Sequence, residues 1–101
     1  MSLDADQIYN LVMKAGEDWV DKDAAANILE ETKPIVLAEI FNSQPSGMAV
    51  AAKENAAKGD PAYRLHVTNM VTARKEANRA RVKYKSAEML AELRRSQESS
   101  K

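Results

Sequence analysis

From Pro61 to about Gln97 the chain carries no glycine and no further proline, and it is dense in Ala, Arg, Lys, Glu, Leu and Met. These residues lose little rotamer freedom on a helix and do not compete for its backbone hydrogen bonds, so the whole stretch is expected to be one helix. At 1.5 Å per residue it is roughly 55 Å long. Immediately before it stands Lys58-Gly59-Asp60-Pro61. Glycine ends one helix, aspartate caps the next and proline takes its first turn, so the chain must reverse here. With only three glycines, three prolines and 30% charged residues, the remainder also reads as helical. The expected fold is all-α: a long antiparallel helical hairpin with an additional N-terminal helix.

On the long helix a seam falls at Tyr63, His66, Met70, Ala73, Ala77, Ala80, Tyr84, Ala87 and Ala91, in alternating steps of three and four. Alanines at such positions let two helices approach closely. The alanine-rich Met48–Lys58 segment is the expected antiparallel partner across the short turn. A second row, Leu65, Val67, Val71, Val82, Met89, Leu90 and Leu93, is left to cover, which predicts a homo-oligomer.

The N-terminal part predicts a helix capped by Asp4 or Asp6, running to Lys14 with Ile8, Leu11, Val12 and Ala15 at helical spacing, and stopped by Gly16. Glu17–Val20 is expected to be a connector from which Trp19 docks. Asp21 or Asp23 then caps a second helix with an apolar stripe that includes Ile28, Leu29, Ile35, Val36, Ile40 and Phe41. Pro34 lies inside that stripe, and at a cost of about 3 kcal/mol it predicts a kink or break near Thr32 or Lys33. Asn42 to Gly47 interrupts the helix outright. One domain is thus divided into acidic helices over 1–42, a short helix and turn over 43–59, a basic helix over 60–97 and a frayed tail over 98–101. Its expected interface residues are Tyr63, Met70, Ala73, Ala77, Ala80, Tyr84 and Ala87 on the seam, with Ile35, Ile40 and Phe41 on the stripe.

Several chemistries lack their parts. There is no cysteine, so disulfides and thiolate sites are excluded. Glu30, Glu31 and Glu39 have no accompanying ExxH, Lys58-Gly59-Asp60 lacks the rest of a phosphate loop, and His66 is the sole histidine with no clustered partner. No catalytic residue, cofactor or metal site is expected, and the chain is not expected to be an enzyme. No apolar run approaches the roughly 20 residues that cross a bilayer, so a cytoplasmic protein with no membrane partner is expected.

The zero net charge conceals a segregation. Residues 1–42 hold nine acids and three lysines, whereas residues 43–101 hold twelve basic and six acidic residues. The basic groups concentrate at Arg74, Lys75, Arg79, Arg81, Lys83 and Lys85, interrupted by Glu76 and lying on the arc away from the seam. They are the candidate nucleic-acid-binding residues, since arginine forks fit phosphate oxygens and backbone neutralisation supplies sequence-independent affinity. A solvated face, or one paired with the acidic half, fits the same pattern, and the pI near 6.6 is low for a nucleic-acid binder. Tyr63 and Tyr84 lie on the seam, where packing explains them better than base stacking.

Asp60-Pro61-Ala62-Tyr63, the run Ala73-Arg74-Lys75-Glu76-Ala77-Asn78-Arg79-Ala80-Arg81-Val82-Lys83-Tyr84 and Leu93-Arg94-Arg95-Ser96 resemble a group of short proteins encoded by tailed phages and prophages, often near early recombination or replication genes. The resemblance covers roughly residues 50–96 and does not extend to 1–42. It implies a phage accessory protein in a bacterial host, working with DNA or with a DNA-handling complex, with Arg74, Glu76, Asn78 and Arg94 as candidates for interaction. Two readings follow: an oligomeric hairpin whose basic face contacts DNA, or an assembly module that binds another phage or host protein and touches no nucleic acid.

Overall fold

The computed structural model describes residues 3–99. Three helices build it: α1 over Ala5–Asn42, α2 over Val50–Gly59 and α3 over Pro61–Ser99. There is no strand among the described residues. The molecule measures 78 × 19 × 16 Å, with a radius of gyration of 22.0 Å, against about 13 Å for a compact chain of this length. It is a rod whose cross-section is that of two helices side by side.

α1 begins with a reciprocal cap. The Asp4 carboxylate accepts from the Gln7 N–H at 2.8 Å and the Gln7 side-chain oxygen accepts from the Asp4 N–H at 2.9 Å, which satisfies two donors that the first turn leaves free. Beyond this start the N-terminal expectation is corrected, because one helix runs where two with a connector were expected. Gly16 does not stop it. A Cβ at Gly16 would stand 3.2 Å from the Tyr84 ring, so the missing side chain makes room for a neighbouring helix. Trp19 lies within α1, its ring centroid 5.4 Å from that of Tyr84. Asp21 and Asp23 are mid-helix rather than caps.

Pro34 also lies inside α1 without ending it. Its ring removes one backbone hydrogen bond. One turn earlier, His66 Nε2 of α3 sits 2.7 Å from the Leu29 carbonyl oxygen. A carbonyl only accepts, so Nε2 carries the proton and His66 ties α1 to α3 beside the disrupted turn. Helix continuity is set here by packing along a partner, which outweighs local propensity.

That partner is the second correction. α3 packs along α1, and α2 is not the antiparallel mate of the alanine seam. α2 has ten residues, under three turns, and cannot cover a helix of 39. α1 can, because Ile8, Val12, Ala15, Trp19, Lys22, Ala26, Leu29, Lys33, Val36 and Ile40 recur in the same steps of three and four and are all buried or half-buried. Every seam position expected on α3 is likewise buried or half-buried. α2 folds back on the end of α1 instead. Its fully buried Ala57 faces a groove with Pro34, Leu37 and Phe41, and the Lys53 ammonium lies 5.7 Å from the Phe41 ring centroid.

The reversal at residues 58–61 stands as expected, with a different backbone device. No described residue has a positive φ, so Gly59 makes no left-handed stop. Asp60 turns the chain in an extended conformation imposed by the following proline, while its carboxylate accepts from the Ala62 N–H at 2.8 Å. α3 then continues to Ser99, past the expected end, and positions 100–101 of the expected tail lie outside the described residues.

Candidate functional site

Arg74 projects from α3 beside seam residue Ala73 and meets three polar residues that the helical repeat of α1 brings to one face. Its Nε and Nη2 donate to the two carboxylate oxygens of Glu30 at 2.9 and 2.7 Å. Nη1 donates to Asp23 at 2.6 Å, and Nη2 also donates to the Asn27 side-chain oxygen at 2.7 Å. The fork-to-fork pairing with Glu30 is the geometry for which arginine is suited. The hydrogen bond from Arg74, with its positive charge, holds the Glu30 carboxyl below its ordinary value against the opposing effect of burial. The same carboxylates push the Arg74 guanidinium upward. Arg74 is therefore removed from the outward basic face: its donors are committed to α1.

The other five candidates, Lys75, Arg79, Arg81, Lys83 and Lys85, are exposed on α3. Lys75, Arg79 and Lys83 line an open groove with Val71 and Val82, and Lys85 reaches Glu88 at 3.4 Å. Of the residues singled out by the resemblance, Glu76 and Asn78 are exposed. Arg94 donates from Nη1 to the Leu3 carbonyl oxygen at 2.7 Å and from Nε to Glu98 at 3.3 Å.

The expected interface residues divide. Ala77, Ala80 and Ala87 are buried against α1, and Tyr63, Met70, Ala73 and Tyr84 are half-buried along the same seam. Ile40 and Phe41 are half-buried, whereas Ile35 is 55% exposed.

Residues flanking the seam form two long edges of the rod. The Arg74 cluster marks the first edge, and α2 lies over its far end at Pro34, Leu37 and Phe41. On the second edge Leu11 and Leu90 line one groove with Lys14, Asp18 and Lys83. The same periodicity carries Asp21, Ile28 and Ile35 of α1, and Leu65, Arg79 and Leu93 of α3, onto this second edge. Sequence reading missed Asp23, Asn27 and Glu30 as partners of Arg74. Their signal was present in the steps of four and three from Asp23 to Asn27 to Glu30, on the acidic helix.

No group of three or more histidine and carboxylate side chains able to hold a metal occurs among the described residues, and none of their helices is long and apolar enough to cross a membrane. No family model, no curated protein and no solved structure matches the chain.

Proposed function

We propose that this chain is a phage-type accessory protein whose task is assembly: a helical rod that is completed by further helices packed along its length. One observation carries the reading. Among the described residues, the buried positions are Ile8 and five alanines, while thirteen large apolar side chains remain exposed. Burial of apolar area is the principal force that holds helices together, at about 25 cal/mol per Å². An alanine seam supplies little of it, and a surface that exposes so many large apolar groups belongs to an interface. The phage-type context is supported by the resemblance of residues 60–63, 73–84 and 93–96. The test is the mass of the protein in solution, by sedimentation across the micromolar range. A mass above the 11.2 kDa of one chain, persisting at about 1 M salt where screening acts within about 3 Å, is expected. A monomer at every concentration overturns the reading for self-assembly and leaves only a foreign protein to complete the rod.

A second reading has its own observation, the five exposed cations within one stretch of α3, which at 1.5 Å per residue lie within roughly 15 Å. This face presents a polyanion with a row of phosphate contacts. Binding of single- or double-stranded DNA is then expected to weaken steeply with salt. Replacing Arg79, Arg81 and Lys83 together with glutamine lowers the salt slope by about 3, while Arg74→Gln leaves it unchanged. DNA binding that survives the triple replacement intact removes this face from consideration.

A further inference from the structure

The uncovered second edge has an order along its length that selects its occupant. The Arg74 cluster, with the contact of Tyr84 against Gly16 and Trp19, sets the register of α1 against α3. In that register Leu11 lies level with Leu90 near one tip and Ile35 level with Leu65 near the α2 end. Between them Asp18 and Asp21 lie level with Lys83 and Arg79. Leu11, Ile35, Leu65 and Leu90 are between 38% and 61% exposed. Asp21, Arg79 and Lys83 are exposed, and Asp18, although bridged to Lys22 at 3.1 Å, keeps 45% of its side chain in solvent.

From this pattern we infer that the second edge binds a second copy of the same chain, with the two rods side by side, like ends together, and α1 of each copy lying along α3 of the other. The inference rests on the assembly reading above and names its partner. A two-fold axis along the rod brings Leu11 against the partner's Leu90, Ile35 against the partner's Leu65, and Asp18 and Asp21 against the partner's Lys83 and Arg79. Every neighbouring pair of helices in the resulting four-helix bundle is antiparallel. The opposite choice, with the rods reversed, sets α1 against α1 and α3 against α3. With Leu11 level with the partner's Ile35, it sets Asp18 and Lys83 opposite uncharged positions and brings Asp21 and Arg79 near their own copies, so the facing pairs of opposite charge are lost. The segregation of acids into one helix and bases into the other is what makes the side-by-side choice self-complementary.

The exposed area agrees with this. The chain exposes 7462 Å², whereas a compact chain of its mass exposes about 5,700 Å². The excess, roughly 1,800 Å², is about twice what one partner contributes to an interface of standard size.

The chain has no cysteine, so single cysteines report proximity between copies without background. Chains carrying Leu11→Cys, mixed with chains carrying Leu90→Cys and gently oxidised, are expected to form a disulfide-linked dimer. Linkage of Leu11→Cys chains to Ile35→Cys chains instead indicates reversed rods and overturns the inference. Absence of Leu11–Leu90 linkage in a sample that still sediments as an oligomer also overturns it, but leaves the assembly reading intact. A monomeric sample overturns both. A charge exchange tests the pairing independently. Asp18→Lys with Asp21→Lys in one chain, and Arg79→Glu with Lys83→Glu in another, are each expected to weaken self-association by more than about tenfold. A one-to-one mixture, in which every facing pair is again of opposite sign, restores it. Failure of the mixture to recover, with both chains still helical, overturns the pairing.

Discussion

Arg74 shows how one side chain can be legible as chemistry and illegible as location. Its place in a basic run is plain in the sequence. The acceptors that take it up stand more than forty positions earlier, and only the fold brings Asp23, Asn27 and Glu30 to one face against it. The pairing has a pH signature. The folded Glu30 carboxyl lies below its ordinary 4.5, so its stabilising contribution is complete above the unfolded value and is lost as pH falls through the lower folded value. The Tm of the protein, followed from about pH 6 to pH 3, is therefore expected to fall more steeply than that of Glu30→Gln, whose acid limb is flatter although its Tm near neutrality is lower. Parallel curves for the two proteins refute the pairing. Gly16 makes a second residue-scale case. Alanine there gains up to about 1 kcal/mol of helix propensity but must push the Tyr84 ring by a few tenths of an ångström from a 3.2 Å contact. We expect Gly16→Ala to be close to neutral and Gly16→Leu to cost about 1–3 kcal/mol by overpacking the seam, as read from denaturant midpoints. A neutral Gly16→Leu means that the close approach at Tyr84 is absent.

At the scale of elements, the sequence resolves α3 and its seam from first turn to last, because nothing interrupts the pattern. It resolves α1 poorly for two specific reasons. Gly16 and Pro34 have the local meaning of a stop and a break, and a reading that cuts the chain there divides the repeat from Ile8 to Ile40 into pieces too short to show its regularity. Once the repeat is divided, α2 is the only visible mate for the alanines of α3. Tertiary contact reverses both judgements: the glycine becomes a packing site and the proline is tolerated within a helix held along its whole length. The proline still lacks its N–H, so α1 retains a local defect. Pro34→Ala is expected to raise stability by about 1–3 kcal/mol, most of what an interior proline costs, as measured by a shift in denaturant midpoint at constant m-value. If the variant is less stable, the groove that Pro34 shares with Leu37, Phe41 and Ala57 matters more than the hydrogen bond.

For the molecule as a whole, the all-α character and the reversal before Pro61 could be read from the sequence. Which long helices pair, and hence which edge stays open, could not, because the alanine positions on α3 are nearly interchangeable and specify no mate by themselves. A seam of equal small residues also says little about register, since sliding one helix by a heptad sets alanine against alanine again. The few bulky or charged contacts, Arg74 with Glu30 and Tyr84 with Gly16 and Trp19, distinguish the native alignment from its slipped neighbours. At one tip, Arg94 holds the Leu3 carbonyl oxygen, so the beginning of α1 and the last turns of α3 lie together, with α2 and the reversal at the other end of a 78 Å rod. A dye or other label placed at the start of α1 or in the last turns of α3 consequently sits at the same pole. Labels at those two positions report one location, and the opposite pole is reached through the loop between α1 and α2 or the turn before Pro61.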